Sequence, residues 1–260
     1  MAITRRGFIK AAGVTTVAAA GMVGTRAVIG ELTKPRLAEE APLRGRRWAM
    51  IIDIKKCQKE IRDRGCRDCI NACHLSHNVP DFGNPKDEIK WIWHESFEHG
   101  FHGQEHEHMK KDLRRSPVVL LCNHCDSPPC TKVCPTQATW KRPDGIVMMD
   151  WHRCIGCRFC VAACPYGSRS FNWRDPRPFI MEQRKEFPTR HKGVVEKCTF
   201  CDDRLGKGLL PACVDVCKAM AMVFGDLDVP GTTIRRLLEE NYTIRRKPEL
   251  GTNPEVYYII

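Results

Sequence analysis

The residues of this chain best equipped for chemistry are its sixteen cysteines, which fall into four sets of four. The clearest is Cys154-x2-Cys157-x2-Cys160-x3-Cys164, followed at once by Pro165. A second reads Cys122-x2-Cys125-x4-Cys130-x3-Cys134, followed by Pro135. A third, later set is Cys198-x2-Cys201-x11-Cys213-x3-Cys217, and the most N-terminal is Cys57-x8-Cys66-x2-Cys69-x3-Cys73. An iron–sulfur cubane takes one thiolate per iron, and three close cysteines followed by a more distant fourth are a spacing such clusters use. Sixteen thiolates in four runs supply four [4Fe–4S] clusters with none left over.

Two other uses of thiols are weighed against this. Structural zinc takes four thiolates, but zinc modules place two short pairs well apart. Cys154, Cys157 and Cys160 instead crowd three ligands into seven residues, which suits three corners of one cubane. Disulfides across such short gaps are strained, because the bridge demands a fixed dihedral and Cα separation. In two-cluster ferredoxins the fourth cysteine of each run crosses to the partner cluster. Applied to the central pair, that rule groups Cys122, Cys125 and Cys130 with Cys164, and Cys154, Cys157 and Cys160 with Cys134.

If every cysteine is a ligand, no iron keeps an open position for a substrate, so the expectation is a non-catalytic protein with no catalytic residues. No glycine-rich phosphate loop or dinucleotide fingerprint is present. The segment between the first two sets, about residues 86–115, holds His94, His99, His102, His106 and His108, interleaved with Glu95, Glu98, Glu105 and Glu107. It is read first as a solvated polar insert, with docking of a haem partner or an extra metal as the sharper alternatives, because tight metal sites need ligands fixed by a second layer of contacts. His74, His77, His124 and His152 lie beside cluster cysteines and are expected to pack or to hydrogen-bond sulfur.

The elements that must position these thiols repeat with them. β-Prone runs lead into each set: residues 48–54 before Cys57, 117–121 before Cys122, 146–150 before Cys154, and a shorter 193–195 before Cys198. Strand followed by cysteine loop, four times, is an internal repeat. Pro143-Asp144-Gly145, between two β-prone runs, predicts a hairpin turn. Thr232 and Thr233 are placed to cap a short amphipathic helix using Ile234, Leu237 and Leu238. The last residues, Val256-Tyr257-Tyr258-Ile259-Ile260, suit a terminal strand or a docking segment. With seventeen prolines and nineteen glycines, the expected fold is α+β and loop-rich: two interlocked bacterial-ferredoxin-like pairs with short β-hairpins around four [4Fe–4S] clusters. Ligation then does much of the work of a core.

Thr4-Arg5-Arg6-Gly7-Phe8-Ile9-Lys10 has the twin-arginine export pattern, and the mild apolar stretch after it, residues 11–24, falls short of the ~20 residues that span a bilayer. The expected organisation is a twin-arginine segment over 1–27, a linker over 28–47, a four-cluster domain over 48–225 and a C-terminal docking tail over 226–260. The expected location is the periplasmic or extracytoplasmic face of a membrane, peripheral to a membrane complex. Clusters built before export fit that route, because free thiols outside the cell face oxidation. The formal charge of +11 falls to +7 without Arg5, Arg6, Lys10 and Arg26. The surplus partly offsets the negative charge of thiolate clusters, and no nucleic-acid module accompanies it.

The order of the four sets, the x4 gap in the second and the x11 gap in the fourth resemble the four-cluster ferredoxin-like subunits of complex iron–sulfur oxidoreductases of the polysulfide and dimethyl sulfoxide reductase type. The resemblance covers about residues 48–225 and the tail from Pro248 to Tyr258. It implies that the outer sets pair as the inner ones do: Cys57, Cys66 and Cys69 with Cys217, and Cys198, Cys201 and Cys213 with Cys73. It implies relay of single electrons between a quinone-interacting membrane subunit and cytochrome c or other redox partners. The leader makes the chain most similar to the periplasmic iron–sulfur subunit type of Dsr sulfur-metabolism complexes. Those imply a multihaem cytochrome c and further iron–sulfur subunits as partners. The alternatives are the matching subunit of an exported molybdopterin reductase (polysulfide, thiosulfate or tetrathionate type) and a zinc-stabilised binding protein without redox function. The x8 gap after Cys57 departs from the family spacing and makes Cys57 the most exposed ligand assignment.

Overall fold

A computed structural model describes residues 47–260. The expected export segment and all but the last residue of the expected linker lie outside the described residues. Ten strands follow along the chain: β1 Trp48–Asp53, β2 Ile92–Ser96, β3 Pro117–Leu121, β4 Thr139–Lys141, β5 Val147–Met149, β6 Ser170–Phe171, β7 Val195–Glu196, β8 Met222–Asp226, β9 Thr243–Ile244 and β10 Val256–Ile259. Three helices exceed a single α-turn by a full turn or more: α1 Ile54–Arg64, α2 Asp68–Ser76 and α3 Thr233–Glu240. The architecture is mixed α+β with short hairpins, as the cysteine spacing and loop-rich composition led one to expect. Among the described residues no helix is long and apolar enough to cross a membrane.

The strand-then-cysteine repeat is visible throughout. β1, β3, β5 and β7 end just before Cys57, Cys122, Cys154 and Cys198. The third cysteine of each set lies on a helix: Cys69 on α2, and Cys130, Cys160 and Cys213 on the single turns Pro129–Lys132, Phe159–Ala163 and Ala212–Asp215. The fourth cysteine follows four residues later in every set. Four helical residues advance the chain by about 6 Å and return it to nearly the same face. Cys69 and Cys73 share α2 in this way, whereas Cys134, Cys164 and Cys217 follow just past the end of their turns; the third and fourth thiols are offset along the chain, which lets one set serve two adjacent sites.

β1 is central. It pairs antiparallel with β8 and parallel with β10, and β9 completes a sheet of order β8-β1-β10-β9. Its two faces divide by the two-residue period of a strand. Trp48, Met50 and Ile52 join the main core with Cys69, Cys73, Cys198 and Cys213, while Ala49 and Ile51 pack under Ile234 of α3. Residues 226–260, expected as a docking tail, thus contribute α3 and two of the four strands of this sheet. Thr232 occupies the N-cap position of α3 but makes no side-chain cap; its hydroxyl instead donates to Asp226 O and Val229 O, both at 3.2 Å.

The remaining strands form hairpins: β2 with β3, β4 with β5 and β6 with β7. In the β4–β5 turn Gly145 takes a φ of +86°, the left-handed conformation glycine adopts without steric cost. The histidine-bearing insert is only partly the solvated loop expected of it. Its first half supplies β2 and buries Trp91, Ile92, Trp93, Phe97 and Phe101 in the main core, and only the stretch beyond Phe101 is largely exposed. The apolar residues between the histidines carried that signal.

Candidate metal centres

All sixteen cysteines are free thiols. Cys122, Cys125, Cys130 and Cys164 line one pocket. Cys134, Cys154, Cys157 and Cys160 line a second, and Cys57, Cys66, Cys69 and Cys217 a third. The fourth group is more deeply enclosed: Cys201, Cys198 and Cys213 are the cysteines that act most strongly on Cys73, and all four are buried. Three pockets, each edged by four thiols, match a four-iron group with one ligand per corner. Among the described residues no three His, Cys, Asp or Glu side chains converge on a point suited to one metal ion. Zinc draws its thiolates to about 2.3 Å from a common centre, whereas a cubane holds each sulfur on a separate iron.

The groups adjoin one another in a series. Cys69 of the first acts on Cys73 and Cys213 of the buried group; Cys122 of the next acts on Cys198; and Cys130 acts on Cys160 at the far end. α2 packs against the single turn Ala212–Asp215, which brings the first and fourth sets together although their cysteines lie well over a hundred residues apart. The x8 gap is explained by α1, which carries Cys57 in its first turn and ends at Gly65. There a φ of +62° reverses the chain, with Gly65 N–H donating to Ile61 O and Cys66 N–H to Glu60 O. This left-handed helix ending returns Cys66 to the cavity that Cys57 faces.

The loops between first and second cysteines share a second device. His124, Gly156 and Phe200, each just before the second cysteine, have φ of 43°, 71° and 55°. Left-handed backbone costs a non-glycine residue about 1–2 kcal/mol, and ring packing offsets part of it: His124 stacks on Phe200 with centroids 3.7 Å apart. At Gly156 a Cβ would meet Gly193 O at 2.3 Å, so no side chain fits. Backbone N–H groups turn toward sulfur in the fourth set, Phe200 N to Cys198 Sγ and Ala212 N to Cys201 Sγ, both at 3.4 Å.

Burial pushes the Cys57, Cys69, Cys125 and Cys198 thiols up to about 12, with adjacent cysteines adding to the effect. Cys73, Cys201 and Cys213 move the same way for the same first reason. Cys134 departs from this pattern: burial opposes ionisation, but hydrogen bonds from Thr136, Thr139 and Ala138 bring it below the ordinary thiol value. The thiols raised by burial stay neutral at pH 7 without metal, so iron must supply the positive charge that ionises them, and binding releases protons.

The histidines divide. His77 is buried, with Nδ1 2.9 Å from Cys73 O and 3.7 Å from Cys73 Sγ, and it stacks on Trp91. His74 is brought down to about 4 by burial and then by Arg67. His94 lines the Cys57 cavity and is lowered by the same two causes. His99, His102, His106 and His108 are exposed, the first two and His108 facing Glu95, Glu105 and Glu107. His152 is exposed as well.

Sequence reasoning missed the buried cations. Arg169 is 4% exposed, and its Nη2 donates to Cys130 Sγ at 3.0 Å and Thr139 Oγ1 at 2.8 Å. Lys197 is fully buried, and its Nζ donates to Cys198 O. Nothing in their local sequence separates them from surface basics except a position close to cysteines.

Residues 117–177 and 183–227 match the family described as a 4Fe-4S dicluster domain. The chain is 36% identical to the Hdr-like menaquinol oxidoreductase iron-sulfur subunit 1 of Archaeoglobus fulgidus, covering 98% of this chain and 97% of that one. It is 36% identical to the iron-sulfur subunit of the arsenate respiratory reductase of a Shewanella species, over 82% of this chain and 96% of the other. It is 34% identical to the menaquinone reductase iron-sulfur cluster-binding subunit of Nitratidesulfovibrio vulgaris, over 82% and 88%. Fold, thiol sets and relatives together define an iron–sulfur electron-transfer subunit, a relay and not the catalytic member of its complex. The chain belongs to the 4Fe–4S dicluster family of iron–sulfur subunits found in dimethyl sulfoxide reductase and Hdr-like menaquinol oxidoreductase systems, and its cofactors are four [4Fe–4S] clusters.

Proposed function

We propose that this chain is the electron wire of an extracytoplasmic, membrane-associated complex, with its clusters in a fixed order. The first is held by Cys57, Cys66, Cys69 and Cys217, and the next by Cys198, Cys201, Cys213 and Cys73. The third is held by Cys122, Cys125, Cys130 and Cys164, and the last by Cys154, Cys157, Cys160 and Cys134. The observation that carries the reading is the grouping of thiols from different sets around shared pockets that adjoin in series. The ends of that series have half-buried cysteines, Cys57 and Cys66 at one and Cys154 and Cys157 at the other, while the group with Cys73 is wholly buried. Electrons then enter and leave at the ends, and the protein's part is to fix separations and tune potentials through burial, charge and hydrogen bonds to sulfur.

The partners in this reading are a quinone-interacting membrane subunit, a periplasmic multihaem cytochrome c and further iron–sulfur subunits, in a Dsr-type sulfur-metabolism complex. The near full-length match to a menaquinol oxidoreductase subunit supports the quinol side, and the Arg5-Arg6 segment supports export by the twin-arginine route. A molybdopterin reductase is the second reading, favoured by matches to arsenate and tetrathionate reductase subunits at 36% and 35% identity. Anaerobic isolation of the native complex tests both. The wire requires about sixteen irons with matching acid-labile sulfide per chain; haem c in the complex supports the first partner set, molybdenum the second. Zinc without sulfide overturns the wire itself.

A further inference from the structure

Three arginines, Arg169, Arg190 and Arg246, are almost wholly buried near the thiol groups, and their surroundings differ: Arg246 donates to the backbone carbonyls of Gly100 and Tyr166. Arg190 meets Glu196 at 2.6 Å, with both side chains at 0% exposure. Arg169 has no carboxylate partner among the described residues. It donates instead to Cys130 Sγ, to Thr139 Oγ1 and, at 3.8 Å, to Met149 Sδ. Thr139 is committed as an acceptor here, because its own hydroxyl donates to Met148 O at 2.6 Å. A buried guanidinium without a counter-charge is strongly destabilising. The groups within its reach that become negative as thiolate ligands are Cys130 and Cys122, which line one thiol pocket, and Cys160, which lines the next.

The backbone holds the side chain between the two cavities. Arg169 stands directly before β6, which pairs with β7, and Ser168 Oγ is fixed to Leu121 O of β3 at 3.2 Å. Thr139 and Met149, which receive the guanidinium, face each other across the β4–β5 hairpin. The cation is thus held from one side by its backbone anchor to β3 through Ser168 and from the other by the hairpin.

We propose that Arg169 is a positioning cation shared by two clusters, the one held by Cys122, Cys125, Cys130 and Cys164 and the one held by Cys134, Cys154, Cys157 and Cys160. The proposal rests on the four-cluster reading above. Each cluster becomes one unit more negative when it accepts an electron. A fixed positive charge between two clusters stabilises the reduced form of each and raises both potentials together. Electron passage between them then stays near level, while the clusters nearer Cys57 and Cys73 are shielded by distance.

The test is potentiometric titration of the full chain, followed by EPR at each poise, for the native protein and for Arg169→Gln and Arg169→Lys. Glutamine keeps a donor for sulfur and removes the charge; lysine keeps the charge and removes the fork. Iron and sulfide are counted first in every sample. In Arg169→Gln two of the four couples are expected to shift to lower potential by at least tenfold in their reduced-to-oxidised ratio, 59 mV for one electron. Arg169→Lys is expected to keep both couples within threefold of native. Four intact clusters with unmoved potentials, or an equal shift of all four, overturn the proposal and leave the wire standing. Loss of iron from both variants also overturns it, since the residue would then act in assembly alone. A native protein that holds no four clusters removes the wire and the proposal together.

Discussion

At the residue scale, charge placement is the chief device of this protein, and Glu196 shows what an internal ion pair does here. It accepts from Arg190, from Trp91 Nε1 at 2.9 Å and from Asn172 Nδ2 at 2.5 Å. Arg190 in turn donates to His77 O and Asn78 O and lies over the rings of Trp91, Trp151 and Phe187. This network ties the insert after the first cysteine set to the strand that opens the fourth. Glu196→Gln leaves the guanidinium buried and uncompensated, and is expected to cost about 3–5 kcal/mol of stability, read as a lowered denaturation midpoint. Replacing both partners, Arg190→Met with Glu196→Leu, is expected to recover most of that loss in a double-mutant cycle. The thiols were legible in the sequence because ligation imposes a spacing. Arg169, Lys197, Arg190 and Glu196 were not, because their roles follow from convergence of segments that no local pattern announces.

At the element scale, two glycines mark where helix and loop geometry must yield to the cysteines. Gly65 ends α1 in left-handed backbone with nothing within 4 Å of a built Cβ. Gly65→Ala should therefore cost only about 1 kcal/mol and leave iron content unchanged. Gly156 combines a φ of +71° with a Cβ position 2.3 Å from a backbone oxygen. Gly156→Ala must displace the Cys154–Cys160 loop, and is expected to lose the iron of one cluster, a quarter of the total, by metal analysis. The four strand-to-cysteine transitions could be read from β-prone runs, since a short strand needs only local residues. The insert misled for the same reason: histidine and glutamate dominate its composition, yet Trp91, Trp93 and Phe97, among them, set the strand and the burial. The long gap after Cys57 looked like a weakened motif and is two turns of helix closed by Gly65.

At the scale of the whole molecule, chain ends and wire ends decide what the protein can do. The parallel pairing of β10 with β1 joins residues about two hundred apart, and parallel neighbours require a long crossover. The terminal run was visible as β-prone, but its partner was not. Arg47 reinforces the closure by donating to Glu255 and, through its backbone, to Asp226. The Cys154 and Cys157 loop, one end of the proposed wire, lies beside exposed apolar groups, with Ile155 66%, Phe159 59% and Trp173 51% exposed. Arg158 stacks over Trp173 at 4.7 Å and over Phe171 at 5.4 Å, which keeps these side chains on one surface with a basic rim. Large exposed aromatics beside an electron exit suit a partner contact, where a few such residues carry most of the binding energy. Trp173→Ala and Phe159→Ala are each expected to weaken assembly with the partner at that end by about 2 kcal/mol, roughly thirtyfold in Kd. Iron content and the four potentials should remain native. Recombination of the purified chain with its stripped native complex measures this directly, by the concentration needed to restore electron transfer through the complex to its clusters. An unchanged concentration dependence for both variants would move the docking surface to the Cys57 end, where Met220 is the large exposed apolar residue near Cys217.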